Sequence, residues 1–259
     1  MRTLRRYHSG NDVRMLQYLL GGLDVDGNFG ALTEAAVEAF QEAHGLEKDG
    51  VCGPKTRAVL GLQDFFAVVC DPKKVRFIGA RYEAGYKPLL TLKNWSKQAE
   101  AKGAKYLMNL ALFNSVGSGS DKYGVIRGRT LTYVKGCGYD IGYGGTSLQI
   151  CPNSQNACAG YKVGIHEGKR KTVDVVRKRA RNANGLLKDG RYIHIQSVGT
   201  STESALVSWA MKNYEIKHLL IQDGGGSVGF YDIDRRILLA PELEGVSGRS
   251  VATVAAIFE

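Results

Sequence analysis

Apolar residues in the first part of the chain recur at helical spacing. Val13, Leu16 and Leu20 lie at i, i+3 and i+7 on one helical face. A second apolar pattern runs up to Gly45, which takes the position of a left-handed C-terminal cap. A third begins near Pro54, where a missing backbone N–H costs nothing. The spacing predicts three short helices.

A short repeat separates these helices. Residues 26–33 read DGNFGALT and residues 49–56 read DGVCGPKT, so both copies have the form D-G-x-x-G-x-x-T. Asp-Gly favours a turn, the second glycine frees the backbone, and Thr33 is placed to cap or open the next helix. Folding accounts for these residues, so the repeat does not identify ligand contacts.

From residue 65 onward, short apolar segments alternate with glycine-rich turns, which is typical of strands. The segments are FFAVVC (65–70), YLMNLALF (106–113), TLTYV (130–134), YIHIQSV (192–198), HLLIQ (218–222) and TVAAIF (253–258). Helical patterns cover residues 92–103 and 203–214. The chain is therefore predicted to be α+β: a small all-α three-helix module over residues 1–63, then a larger mixed α+β sheet domain over residues 66–259.

Charge is divided unevenly between the two parts. Of the net +10, residues 1–64 carry 7 Lys/Arg against 9 Asp/Glu, a net of −2, which leaves +12 for the rest. A basic second part favours an anionic partner, although a solvated basic face is an equal alternative. Aromatic residues do not interleave with the basic run 169–191, so we do not predict nucleic-acid binding.

The N-terminal residues are basic and then apolar, but Asp12, Arg14 and Gln17 interrupt the apolar part and no small-residue cleavage site follows. We expect a first helix rather than a secretory signal, and no membrane span. The protein would be made in the cytoplasm. Five cysteines without C-x-x-C indicate neither a disulfide framework nor a zinc site, so no metal or other cofactor is predicted.

The apolar segment HLLIQ runs directly into DGGGS (223–227). Three consecutive glycines after a buried strand allow backbone N–H groups to converge on an anion, and Asp223 at the strand end is well placed for chemistry. The alternative is an ordinary turn with an aspartate cap. Neither a Walker loop nor a dinucleotide loop is present, because their further motif residues are missing.

Two family resemblances extend this picture. The stretch VDGNFGALTEAAVEAFQEAHGLEKDGVCGPKTRAVL resembles the peptidoglycan-binding domain family. This resemblance implies an anchor to wall glycan or stem peptide without chemistry of its own. A helical linker or protein-interaction module is the alternative.

The segment TSTESALVSWAMKNYEIKHLLIQDGGGS (200–227) resembles the signature of the phosphodiester glycosidase family. Residues 108–113, 181–196 and 248–258 resemble further family segments in the same order. Leu110, Asn182 and Ser250 depart from the family pattern, which leaves the sugar specificity open.

The second resemblance implies hydrolysis of a sugar-1-phosphodiester and assigns roles to particular residues. Asp223 would act as base or nucleophile. Guanidinium groups bind phosphate bidentately, which suits Arg181 and Arg249, each with a structural ion pair as the alternative. Asn109 would bind a sugar group or pin a strand end. The phosphate or sugar oxygens would be held by Gly224, Gly225, Gly226 and Ser227.

Together the two resemblances predict a wall-targeted hydrolase whose partners are peptidoglycan and an anionic wall polymer. Teichoic acids are joined to muramic acid through N-acetylglucosamine-1-phosphate, which makes that bond the expected substrate. The plan suits a phage-type lysin released at lysis, or a bacterial wall-remodelling enzyme exported by a non-standard route. The alternatives are a muramidase or amidase, and a non-catalytic wall-binding protein.

Overall fold

The computed structural model describes residues 1–79, 90–110, 126–127, 148–149, 156–158, 162–222, 224–242, 251 and 253–258. Two compact units divide the chain, Met1–Phe66 and Ala67–Glu259. The first is helical and the second is rich in strands, so the predicted α+β class is confirmed. Within the described ranges, no helix combines the length and apolar character that crossing a membrane requires.

The first unit contains the three predicted helices, α1 (Asn11–Leu20), α2 (Ala31–Ala43) and α3 (Pro54–Leu60). Pro54 is the first residue of α3, and Gly45 adopts a left-handed φ of 65° just after α2. The expected cap at Thr33 is wrong. Because α2 begins at Ala31, Thr33 is its third residue, and the hydroxyl is used elsewhere.

A buried glutamine organises each copy of the repeat. The Nε2 of Gln17 donates to Asp26 Oδ1 at 2.8 Å, to the Asn28 carbonyl at 3.0 Å and to Thr33 Oγ1 at 3.1 Å. Its Oε1 accepts from the backbone N–H of Gly27 at 2.8 Å. The Asp, Gly and Thr positions of the first turn motif are thus joined to one side chain on α1.

The second copy repeats this arrangement. The Nε2 of Gln41 donates to Asp49 Oδ1 at 2.7 Å, to the Val51 carbonyl at 3.0 Å and to Thr56 Oγ1 at 3.1 Å. Its Oε1 accepts from the Gly50 N–H at 3.0 Å. The repeat therefore encodes two equivalent hydrogen-bonded turns, each held by the helix before it.

The second unit is built on two larger sheets and one small one. The first sheet has the order β1-β10-β9-β11-β7-β8, and the second has the order β13-β12-β3-β14-β2. The third sheet has the order β4-β6-β5. The strands are β1 (Phe65–Cys70), β2 (Val75–Gly79), β3 (Ala104–Asn109), β4 (Ile126–Arg127), β5 (Leu148–Gln149), β6 (Asn156–Cys158), β7 (Lys162–His166), β8 (Lys169–Arg170), β9 (Asn182–Leu187), β10 (Tyr192–Ser197), β11 (Ile216–Ile221), β12 (Phe230–Asp232), β13 (Ile237–Leu239) and β14 (Thr253–Phe258).

Helix α5 (Glu203–Asn213) covers one face of the first sheet, where it contacts β7 and β11. Its buried residues include Leu206, Val207 and Ala210. Gly164 allows this close approach, since a Cβ there would lie 2.9 Å from a methyl of Val207. The predicted helical pattern over residues 203–214 is therefore confirmed.

The helical pattern over residues 92–103 is only partly correct. Helix α4 (Leu92–Trp95) ends after one turn, and a 3-10 segment follows at Ala99–Ala101. The Ser96 hydroxyl donates to the Lys93 carbonyl at 2.7 Å, a local bond that competes with helix continuation. Leu92 and Trp95 are buried against the second sheet, and the Trp95 indole donates to the Val251 carbonyl at 2.9 Å.

The face of the first sheet that lies opposite α5 is polar although it is buried. His194 lies opposite Asn184 and Gln196 lies opposite Asn182 in the antiparallel register, so the four side chains share one face. All four are fully buried. The two sheets meet on this side, since Gln196 Nε2 donates to the Leu239 carbonyl at 3.0 Å.

Candidate functional site

The glycine loop follows β11 directly. Gly224 is extended, and Gly225–Ser227 form one turn of 3-10 helix in which Gly225 has a φ of 70°. Ser227 is buried. The N–H of Gly225 donates to the Ala180 carbonyl at 3.0 Å, so this donor is used within the protein. The expectation that the Gly225 N–H would bind an anion is therefore wrong.

Ala180 links the glycine loop to a carboxylate. Its carbonyl accepts from Gly225, and its own N–H donates to Glu242 Oε1 at 2.6 Å. The other oxygen, Glu242 Oε2, lies 3.6 Å from the position that a Cβ would take on Gly225. A carboxylate group thus borders the loop.

A guanidinium borders the same glycine. Nη1 of Arg179 lies 3.6 Å from the Cβ position of Gly225. Arg179 is exposed, while its backbone is fixed by reciprocal hydrogen bonds with Ser201, at 3.0 Å and 2.7 Å. A fixed backbone and an exposed cationic head are suited to binding a negatively charged ligand at the loop.

Arg181 lies behind Gly224. Its Nη1 is 3.6 Å from the Cβ position of that glycine, and the side chain is 5% exposed. Nη1 pairs with Glu203 Oε1 at 3.3 Å and Nη2 donates to the Arg177 carbonyl at 2.8 Å. Burial lowers the pKa of the Arg181 guanidinium and raises the pKa of the Glu203 carboxyl.

Asn109 lies at the end of β3 and is fully buried. Its Oδ1 accepts from Asn182 Nδ2 at 2.8 Å and from the Gly229 N–H at 3.3 Å. Asn182 Nδ2 also donates to the Asn109 carbonyl at 2.9 Å. These bonds connect β3, β9 and the end of the glycine loop, which is the strand-pinning role considered for Asn109. Asn182, a departure from the family pattern, supplies the donor.

Two of the residues assigned from the sequence, Asp223 and Arg249, lie outside the described residues. The structure brings Arg181 and the segment 224–227 to the same end of the paired strands β9 and β11, and Asn109 at the end of β3 in the second sheet bonds to the start of β9. Among the described residues, no group of three or more His, Cys, Asp and Glu side chains is arranged to hold a metal ion.

The sequence did not single out Glu242, Arg179 or Glu203. Arg179 belongs to the basic run 169–191, which the sequence pattern does not distinguish from a solvated face. Glu203 follows the helix-capping Thr202 and resembles an ordinary first-turn acid of α5. Glu242 carries no motif, and only the return of the chain after β13 brings it to the loop.

Comparison with known proteins identifies the N-terminal module. Residues 9–60 match the family model "Putative peptidoglycan binding domain". The zinc D-Ala-D-Ala carboxypeptidase of Streptomyces albus G is 44% identical over 70 residues, which are 24% of this chain and 28% of that protein. The chain therefore matches little more than a quarter of the length of this relative.

Three quarters of the chain align with a solved structure, and a shorter part aligns with another. The catalytic domain of zebrafish N-acetylglucosamine-1-phosphodiester alpha-N-acetylglucosaminidase, auto-inhibited by its pro-peptide, aligns with a TM-score of 0.51 and 16% identity. The alignment covers 75% of this chain and 83% of that one, which shows a common fold. An endolysin of Burkholderia AP3 phage is 45% identical over 24% of this chain and 25% of its own, with a TM-score of 0.23.

The N-terminal match gives this protein a module of the peptidoglycan-binding type. Two of the proteins that resemble parts of the chain, the carboxypeptidase and the glycosidase, are hydrolases by name.

Proposed function

We propose that this protein is a wall-targeted hydrolase that cleaves sugar-1-phosphodiester bonds. The N-terminal module holds it on peptidoglycan, and the larger unit releases a sugar from its phosphate. The bond it cleaves is the N-acetylglucosamine-1-phosphate linkage of wall teichoic acid or a related glycopolymer. A phage-type lysin is one setting for this activity.

The observation that carries this proposal is the position of two arginines beside the glycine loop. Arg179 borders Gly225 and Arg181 borders Gly224, each with Nη1 3.6 Å from the glycine's Cβ position. The missing Cβ of Gly225 leaves room for a ligand beside Arg179, whereas the Cβ position of Gly224 is only 2.9 Å from the Ala180 carbonyl oxygen. Two guanidinium groups next to these glycines are suited to a phosphodiester. The common fold with a sugar-1-phosphodiesterase supports the same substrate class.

The chemistry requires little beyond this arrangement. A phosphate monoester has a second pKa of about 6, so it leaves the anomeric carbon far more readily than an alcohol does. Asp223, directly before the loop, acts as base or nucleophile. The exposed Arg179 contacts the phosphate. Arg181, held by Glu203, supplies a fixed positive charge behind Gly224. Gly224, Gly226 and Ser227 hold the sugar or phosphate oxygens, and Arg249 supplies a further positive charge.

The basic character of the larger unit is consistent with a polymer of phosphodiesters. The chain carries a net +12 outside residues 1–64. Lys178 and Arg177, which precede Arg179 in the chain, are exposed cations as well. A polyanionic chain is attracted to such a surface, and this attraction weakens as salt screens it.

A soluble N-acetylglucosamine-1-phosphodiester tests the phosphate contact. Loss of a hydrogen bond to a charged group costs about 1.5–3 kcal/mol, so Arg179→Ala is expected to lower kcat/KM by about 10- to 100-fold. Arg191→Ala is the matched control, because Arg191 is exposed and pairs with Asp189 at 2.7 Å. Equal activity of both variants would contradict a phosphate contact by Arg179.

A further inference from the structure

We infer that Glu242 is a second catalytic carboxylate of this site and acts as the general base. The inference rests on the proposed function, since it assigns a role within that reaction. It starts from geometry: the backbone N–H of Ala180 fixes Glu242 Oε1 at 2.6 Å, and Oε2 is directed toward Gly225.

The other carboxylates described near the loop are already engaged. Glu203 is buried and accepts hydrogen bonds from Arg181, Lys162 and the N–H of Asp174. Asp174 accepts the N–H groups of Val176 and Arg177 through Oδ1, at 2.7 Å and 3.1 Å. Among the described residues, Glu242 is the carboxylate that adjoins Gly225, the glycine that Arg179 also borders.

The position of Glu242 relative to Arg179 indicates its role in the reaction. Arg179 Nη1 and Glu242 Oε2 each lie 3.6 Å from the same point, the Cβ position of Gly225. A phosphate bound by Arg179 therefore places the attached sugar within reach of Glu242. Hydrolysis at a sugar normally uses two carboxylates, of which Asp223 is one in the proposed function.

The step that needs Glu242 is activation of water. Oε2 accepts a proton from the water whose oxygen bonds to the anomeric carbon. The bond from that carbon to the phosphate oxygen breaks, and its electron pair stays on the phosphate. The products are the free sugar and a phosphomonoester. Protonation of the leaving group is dispensable, because phosphate is a stable anion.

Glu242→Gln is the informative substitution, since the amide oxygen still accepts the Ala180 N–H while the proton acceptor is lost. With a soluble N-acetylglucosamine-1-phosphodiester, we expect kcat to fall about 10²- to 10⁴-fold with little change in KM. The acidic limb of the wild-type pH–rate profile is expected to shift but not to disappear, because Asp223 must also be ionised in the proposed function. Glu242→Asp is expected to restore part of the rate.

Glu215→Gln serves as the control, since Glu215 is exposed and pairs with Lys188 at the start of β11. Wild-type turnover in Glu242→Gln would overturn the inference. So would a loss of rate with an unchanged pH profile, because that result indicates a structural role. If the wild-type protein leaves the phosphodiester intact, the proposed function fails, and the assignment of Glu242 fails with it.

Discussion

Arg181 and Glu203 form an ion pair of 3.3 Å in which the side chains are 5% and 2% exposed. The pair fixes the guanidinium behind Gly224 and attaches the start of α5 to the strand that leads into the site. Its members also bind Lys162 and the carbonyl of Arg177. Such a buried pair orients the site and is sensitive to the loss of either member.

Glu203→Ala is expected to destabilise the larger unit by about 3–5 kcal/mol, because it leaves the Arg181 charge buried without its partner. Both tryptophans of the chain, Trp95 and Trp209, lie in this unit, so denaturant unfolding followed by tryptophan fluorescence reports on it alone. Lys162→Ala is the control, as its side chain is 35% exposed and removes only one partner of Glu203. A shift of less than about 0.5 kcal/mol in Glu203→Ala would contradict this role.

Gly185→Ala is expected to be severely destabilising. A Cβ at Gly185 would lie 2.1 Å from the His218 carbonyl oxygen, a backbone atom of the paired strand β11. Overpacking of this kind costs about 1–3 kcal/mol or more. Gly199→Ala is the matched control, because nothing lies within 4 Å of its Cβ position. The same unfolding assay should show Gly199→Ala close to wild type, and equal stability of the two variants would disprove the clash.

The glutamine that holds each turn motif is expected to contribute strongly to the stability of the N-terminal module. Gln41→Ala removes four hydrogen bonds and leaves buried partners such as the Gly50 N–H without an acceptor. The expected loss is about 2–4 kcal/mol. Hydrogen exchange of α2 and α3 in the full chain measures it, with Glu42→Ala as the exposed control. Unchanged protection in Gln41→Ala would contradict its organising role.

The buried His194 is expected to make the larger unit less stable on mild acidification. Burial lowers its pKa to about 3, whereas the unfolded chain has the ordinary value near 6.5. The unfolded state therefore binds the proton first as pH falls through 6.5, and stability is lost progressively down to pH 3. One such histidine costs about 2 kcal/mol at pH 5 relative to pH 8.

Tryptophan-detected unfolding at pH 7.5 and 5.5 tests this dependence above the range in which most carboxylates titrate. His194→Gln is expected to flatten it. His44→Gln, in the first unit, should leave it unchanged. Equal wild-type stability at the two pH values would contradict a buried neutral His194.

Local patterns allowed the module and many strands to be predicted. Each helix of the module follows from i, i+3 spacing and a neighbouring turn, and the repeat reappears as the hydrogen bonds of Gln17 and Gln41. Alternation and glycine punctuation likewise located β1, β10, β11 and β14. These features depend on residues close together in the sequence, so the sequence alone contains them.

The remaining parts of the site depend on distant contacts. Asn182 meets Asn109 across 73 positions, and Glu242 meets Ala180 across 62. No sequence motif links residues at either of these separations. The helix predicted over residues 92–103 stops after one turn, where the Ser96 hydroxyl bonds to the Lys93 carbonyl, and its Trp95 is held by a contact with Val251 that the helical pattern does not show.

The measurement that tests the central proposal most directly uses purified Gram-positive walls. Walls incubated with the full chain are assayed separately for released phosphorus, reducing sugar and stem-peptide fragments. We predict release of phosphate-bearing polymer while peptidoglycan stays intact, with release abolished by Asp223→Asn. Soluble muropeptides without released phosphorus would contradict the proposal and indicate a muramidase or amidase. Binding without any release would contradict it too, and would leave a wall-binding protein without catalysis.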